Sequence, residues 1–432
     1  MNLKRCAKIV PLLVVSSLLI VSLASSAMAK TVVEWWTLAS FFVTEAEQAW
    51  ITQWEAEFEK NNPDIDLEIR AMPGGTAGLN EAIALGIATG TAPDIAYMPI
   101  NTVGRWTHGG ILGGFAEPLN RYLETWPYRQ QMLASLLDAA TIDGNVIALP
   151  YMMWPNCEVY NLNITETSGV ALPNNWDEQL AAMRKLTRVD GAGVIEQYGY
   201  QGPVSASYFF YLLGRVMEQQ GVKLIEPGAT QGFINNDAGR QAMYYIAELY
   251  RTGMPDKYGM RWPAINSNKV ASFFGDGQSA NVHNLTETGV RPAFRGFVGP
   301  QGGTDVIWFN GGAHYILSTS KNKDAAWRVL ADFTTPSNLL NYYVNQPRQQ
   351  PVFTSLINHR SIVSRPYSSE LLQLFTLPIV SYGPVHALLT EIATPVGEIL
   401  KPAGLGDAPI ESALIEGERL MNQILADNMI RQ

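Results

Sequence analysis

Residues 143–161 read Asp-Gly-Asn-Val-Ile-Ala-Leu-Pro-Tyr-Met-Met-Trp-Pro-Asn-Cys-Glu-Val-Tyr-Asn, and the reading of this stretch decides the fold. Asp143-Gly144-Asn145 is a turn, because these residue types tolerate the positive φ that tight turns demand. Val146, Ile147 and Leu149 predict a short strand. Pro150 has no N–H to donate and is expected to end regular pairing. Tyr151 to Asn156 are aromatic, sulfur-bearing or amide residues with a second proline at 155. Val159 and Tyr160 predict a second strand, stopped by Asn161. Two readings fit this pattern. One is an ordinary buried strand pair. The other is a crossing that carries the chain from one domain to another over a cleft.

Outward from this stretch, the chain is rich in core material. It has 432 residues, enough for two or three domains, and is 47% hydrophobic and 16% charged, which argues against disorder. At the N-terminus, Lys4, Arg5 and Lys8 precede an apolar run from Ile9 to Ala24. Ala27-Met28-Ala29 then gives a small-x-small cleavage pattern. Residues 1–29 are therefore expected to be a signal peptide, with Lys30 as the mature N-terminus. Cys6 precedes the apolar run and so cannot become a lipidated first residue, which favours a free periplasmic protein. Cleavage of 29 residues from 432 leaves 403 and moves the formal net charge from −9 to about −12. Such an acidic chain is a poor binder of nucleic acid or anionic membrane. Only Cys157 survives cleavage, so no internal disulfide is available, and that residue reads as a small buried hydrophobe.

Periodicity orders the rest. Thr31 to Trp36 predicts a strand, Ala46, Trp50, Trp54 and Phe58 line one face of a helix, and Ile65, Leu67 and Ile69 alternate as a second strand. This unit suggests a right-handed crossover in a mostly parallel sheet. Helices are expected over 79–89, 179–187, 205–216 and 237–250, with Asp177 as a candidate cap of the second.

Catalytic and cofactor patterns are absent from the sequence. It holds no Gly-Lys dipeptide for a P-loop, no His-Glu-x-x-His, no Gly-x-Ser-x-Gly and no Cys-x-x-Cys. Its five histidines, at 108, 283, 314, 359 and 386, are too scattered for a local metal motif. No cofactor and no metal is expected.

Several segments, taken in order, resemble the maltose-binding-like family 1 of bacterial ABC-transporter extracellular solute-binding proteins. They include the Asp-Gly turn, the strand ending in Pro150 and the Tyr160-Asn161 pair. They continue with Ala92-Pro93-Asp94-Ile95, Pro173-Asn174-Asn175-Trp176-Asp177-Glu178 and Phe273-Phe274-Gly275. Gly311-Gly312-Ala313-His314 and Ser320-Lys321-Asn322-Lys323-Asp324-Ala325-Ala326-Trp327 complete the set. The resemblance covers nearly the whole mature chain, and its specificity lies in the ordered set.

It implies an α/β, two-domain, type II-like periplasmic-binding-protein fold, each domain a mostly parallel sheet flanked by helices, joined by a hinge. Residues 30–152 plus 306–350 would form the N-terminal lobe, and 153–305 plus 351–432 the C-terminal lobe. It implies a monomeric importer component that binds a small solute, a sugar or oligosaccharide, and serves membrane permease subunits. The positions that fall where the family places ligand contacts are Trp36, Ser40, Met98, Asn101, Trp154, Asn156, His283, Asn284, Gly311, Gly312 and His314. A sugar has apolar C–H faces and a hydroxyl edge, so aromatic platforms with neutral polar groups suit it. Met98 and Trp154 depart from the maltodextrin-type pattern of an aromatic and an acid. A secreted carbohydrate-active enzyme, or a binding protein for another solute such as a polyamine, are the alternative readings.

Overall fold

The structure is a computed structural model. It describes residues 30–432 apart from 42–43, 101–113, 143, 227–228, 260–261, 277–284, 286–287, 302–305, 346–348, 377–378, 382–385, 387 and 430–432. The signal-peptide expectation for 1–29 lies outside the described residues.

The first strand, β1 (Thr31–Leu38), runs on through the helix Glu45–Asn61 to β2 (Ile65–Met72). The helix starts at Glu45 because Thr44 and Glu47 form a capping box, Thr44 Oγ1 accepting from Glu47 N and Glu47 Oε2 from Thr44 N. β1 pairs in parallel with β2, Thr31 opposite Ile65, and with β3 (Ile95–Pro99), Trp35 opposite Ile95. The predicted crossover unit is thus formed.

β4 (Thr141–Ile142) and β5 (Asn145–Val146) make a small hairpin, with Gly144 of the expected turn at φ +77° and Asp143 outside the described residues. Beyond this hairpin the chain departs from expectation. Instead of two short strands around a loop, one 13-residue strand, β6 (Leu149–Asn161), passes through both prolines. Pro150 sits opposite Ala313, where the register of the partner strand shifts between Gly312 and Ala313, so the missing N–H falls at an irregularity. Pro155 sits where β6 exchanges neighbours.

The second half of the chain adds a small hairpin, β7 (Arg188–Val189) with β8 (Ile195–Gln197), then β9 (Ser272–Asp276), β10 (Pro292–Arg295), β11 (Val306–Ile316) and β12 (Ile379–Ser381). Up to Pro155, β6 pairs antiparallel with β11. From Asn156 it pairs with β9, and from Glu158 also with β10. β11 does the same in reverse, pairing with β12 over 306–308, with β6 over 309–314 and with β3 over 312–316. The sheet is therefore mixed. Parallel pairs lie at the β1, β2 and β3 end and again between β11 and β12, and the crossing strands β6 and β11 pair antiparallel with each other because the chain goes over and comes back.

Two hydrophobic cores flank these crossings. The first holds residues from Val33 to Trp154 and from Phe309 to Ile362. The second holds residues from Cys157 to Ile307 and from Leu371 to Leu425. The last boundary departs from the expected 351. Val352, Phe353, Leu356 and Ile362 pack in the first core. That stretch is held there by a Met132–Phe353 bridge and by Leu133 N donating to Val352 O at 2.9 Å.

The passage after it is tied by Arg365. Its guanidinium donates to Gln349 O (2.9 Å), Tyr343 O (3.4 Å), Ile362 O (3.2 Å), Gln350 Oε1 (3.1 Å) and Ser368 Oγ (3.1 Å). Burial lowers its pKa only to about 10, so it stays charged and keeps these donors at neutral pH. Gln350 in turn exchanges two backbone bonds with Met153 of β6, at 2.9 and 3.2 Å, which sets a third segment beside the two crossing strands.

Candidate functional site

Register places the site. Pro99, at the carboxyl end of β3, faces Gly312, and Gly312 faces Met152. The carboxyl ends of β1 and β3 therefore lie beside the crossing segments Met153–Pro155 and Phe309–Gly311. In the second lobe, β9 runs toward the same place, ending with Asp276 opposite Asn156. The segment 198–201 bridges to 270 and 273 in parallel and leads into the helix Ala206–Glu218. Strand ends of both lobes thus converge on the crossing, the edge at which open α/β sheets present ligand sites.

Side chains alternate along a strand, so Trp154, Asn156, Glu158 and Tyr160 share one face of β6. Asn310 opposite Trp154 and Phe274 opposite Glu158 join that face. Trp154 is 6% exposed, Asn156 and Asn310 are half-buried, and Tyr208, in the first turn of helix Ala206–Glu218, is 41% exposed with its edge on Phe274 at 6.0 Å. These side chains are aromatic or neutral polar.

The expected contact residues fall into distinct groups. Trp36 lies within β1 and not beyond it, nearly buried, with Nε1 donating to Glu34 Oε2 at 3.2 Å. Ser40 is exposed in the 3₁₀ turn after β1. Trp154, Asn156 and Gly311 come together at the crossing. Asn101, His283 and Asn284 lie outside the described residues. Met98 is fully buried in the first core.

The glycines are closely packed against protein neighbours. A Cβ on Gly312 would lie 2.3 Å from Met152 Cε and 2.8 Å from Tyr97 Cε2, and one on Gly311 would lie 2.6 Å from Met152 O. Asn310, Phe274 and Tyr208 were missed by sequence reasoning. The only signals for them were the position of Asn310 just before the Gly-Gly pair and the aromatic richness of the 205–216 stretch.

His314 needs correction. It is 1% exposed, stacked on Tyr151 at 4.1 Å and edge-on to Trp35 at 4.6 Å, with Phe333 at 5.5 Å. Neither ring nitrogen meets a hydrogen-bond partner among the described residues. It is a core residue of the first lobe, and burial drives its pKa well below the ordinary value of 6.5. The unfolded chain takes up a proton below that value and the folded one does not. Stability is therefore present above pH 6.5 and lost as pH falls, at about 1.4 kcal/mol per pH unit. Replacing His314 with Phe should abolish this loss. Urea unfolding at pH 6.5 and 5.5 should show the variant gaining about 1 kcal/mol on the parent over that step, the unfolded imidazole being half protonated already at 6.5. An equal response of both proteins would place the imidazole in contact with water.

On the second-lobe side, Glu158 is wholly buried. Its Oε1 accepts from Ser272 Oγ and from Gln179 Nε2 (3.1 Å), and Gln179 Oε1 accepts from Tyr245 O–H at 2.7 Å. Burial pushes its pKa up to about 7, against the pull of the Ser272 hydrogen bond and of Arg215. The helix Trp176–Leu186 that supplies Gln179 is capped by Asn175, whose side chain accepts from Glu178 N, and not by Asp177. Trp176 Nε1 is tied to Gln219 Oε1 and Val298 O, both at 2.9 Å.

Two α/β lobes, joined by antiparallel crossing strands with strand ends converging on them, define a periplasmic-binding-protein fold of type II. Residues 43–338 match the bacterial extracellular solute-binding proteins, and the chain belongs to that family. The maltotriose-binding protein of Pyrococcus abyssi (strain GE5 / Orsay) is 21% identical over 322 residues, 70% of this chain. The matched chain spans 63% of the length of that relative.

Among solved structures, a solute-binding protein of Thermotoga lettingae bound with α-D-tagatose superposes with a TM-score of 0.75 at 18% identity, covering 92% of this chain and 100% of its own. The cyclic α-maltosyl-1,6-maltose binding protein of Arthrobacter globiformis gives 0.75 at 17% identity, with coverage of 92% and 100%. Among the described residues, no helix is long and apolar enough to cross a membrane.

Proposed function

We propose that this chain is the substrate-binding component of an ABC importer, carried to the periplasm by residues 1–29 as a cleavable signal. It binds a sugar or sugar-like solute where the two lobes meet and hands it to the membrane permease. The work is binding and not catalysis. The observation that carries this reading is the convergence of strand ends from both lobes on the crossing at Trp154, Asn156 and Asn310, and we assign Trp36, Ser40 and Tyr208 to the same solute site. Aromatic faces match the C–H surface of a sugar, and amides and hydroxyls match its rim. The tagatose, cyclic maltosyl-maltose and maltotriose named for the similar proteins support the same solute class. A ligand touching both lobes closes them because it stabilises the closed form over the open one.

Thermal unfolding against maltotriose, maltose, tagatose, polyols, amino acids and polyamines tests this. A ligand at about 100 times its dissociation constant adds about 2.7 kcal/mol. A shift with one sugar, recovered unchanged afterwards, is the expected result. A shift only with a polyamine overturns the sugar assignment, and product formation overturns binding without catalysis.

A further inference from the structure

Arg215 is the anomaly of the second lobe. It sits in the helix Ala206–Glu218 and is 3% exposed. Its Nε and Nη1 meet no acceptor among the described residues. Taking a guanidinium out of water costs several kcal/mol, and a leucine would fill a core position without that cost. What the guanidinium does meet is aromatic. Its carbon lies 3.6 Å from the centroid of Phe297 and 5.2 Å from that of Phe274. Phe297 and Phe274 are parallel, 7° apart in plane and 5.8 Å between centroids. Tyr208 stands edge-on to Phe274, interplanar angle 79°. The buried cation therefore lies against both parallel rings at once, and Phe274 links this cluster to Tyr208, the exposed ring at the crossing.

The physics of this contact is directional. A cation is attracted to the face of a ring and not to its edge, and the attraction is strongest when desolvated. Arg215 thus selects one plane for Phe297. It also lies over Phe274, so the two rings are held parallel, and the T-shaped contact of Phe274 with Tyr208 carries that orientation to the exposed ring. Glu158, directly opposite Phe274 on β6 and on the same face, is the carboxyl whose ionised form Arg215 favours.

We propose that Arg215 is a positioning residue for solute binding, setting the planes of Phe297 and Phe274 and through them the ring that Tyr208 presents at the crossing. The proposal rests on the reading of the crossing as the solute site. Preorganisation is its effect: a ring already held in the bound orientation loses less freedom when ligand arrives.

The test uses Arg215→Met, Arg215→Lys and the double variant Arg215→Met/Glu158→Gln, which leaves no lone buried charge and guards against loss of the fold. Crystal structures without ligand read the ring planes, and calorimetry with maltotriose, or with the panel sugar giving the largest thermal shift, reads affinity. In the double variant the two phenylalanine rings should no longer be parallel, and affinity should fall about ten-fold. Arg215→Lys keeps a cation over the ring and should restore most of the affinity. Parallel rings in the double variant, or affinity equal to the parent, overturns the proposal. If the parent binds no sugar of the panel, the solute reading fails on its own, and the ring planes still decide whether Arg215 holds the two rings parallel.

Discussion

Replacing Gly397 with Ala should destabilise the second lobe by about 3 kcal/mol, against a helix-propensity gain of about 1 kcal/mol that alanine ordinarily brings over glycine. The sign is therefore diagnostic. Gly397 lies in the helix Leu389–Gly404, which packs on Ala206–Glu218. A Cβ there would lie 1.9 Å from the carbonyl oxygen of Ala206 and 2.4 Å from its carbon. The obstacle is backbone, so no rotamer change relieves it, and one of the two helices has to move. Because Ala206 is two residues from Tyr208, the shift should also weaken solute binding. Urea unfolding with a sugar titration checks both. A variant as stable as the parent would mean that the helices do not approach this closely.

Replacing Glu158 with Gln should change how stability responds to pH more than any surface substitution would. In the folded protein this carboxyl titrates at about 7, against an ordinary value of 4.5. Between those two values the unfolded chain has lost its proton and the folded one still holds it. The group's contribution is thus complete below pH 4.5 and is lost as pH rises through 7, on the order of 3 kcal/mol in total.

The groups facing it are Arg215 and Gln179 from two helices, Ser272 from β9, Tyr245 from the helix Asp237–Gly253, and Tyr160 and Tyr200 nearby. Of the charged ones, Arg215 favours the ionised carboxylate, and burial outweighs it. The expected measurement is a double difference. From pH 5 to pH 8 the variant should gain about 3 kcal/mol of stability relative to the parent. No relative gain would place Glu158 in contact with water or in a stronger pair with Arg215. His314 in the first lobe has the opposite sign, so the parent's own profile is a sum in which the two partly cancel below pH 6.5. Only the variants separate them.

The crossing, the most consequential feature, was legible in outline. The Asp143-Gly144-Asn145 turn, the aromatic stretch between two prolines and the Tyr160-Asn161 end marked where the chain changes lobes. The β1–helix–β2 unit could be read from periodicity. These features are local, fixed by φ preferences, hydrophobic period and neighbouring side chains, which is why residue order alone determined them. The tertiary structure decided everything that depends on a partner distant in sequence.

Pro150 and Pro155 read as strand breakers, yet β6 runs through both, because a register shift in β11 and a change of neighbour fall opposite them. His314 read as a ligand contact because a two-residue period does not say which lobe's interior a face enters; Tyr151 and Trp35 decide that. Residues 352–362 read as second-lobe chain until their pairing with 132–133 drew them to the first. Arg215 in an aromatic helix carries no mark of burial in its own neighbourhood. Its place depends on Phe274, Phe297 and Glu158, which come from two strands and a loop that only the fold brings together.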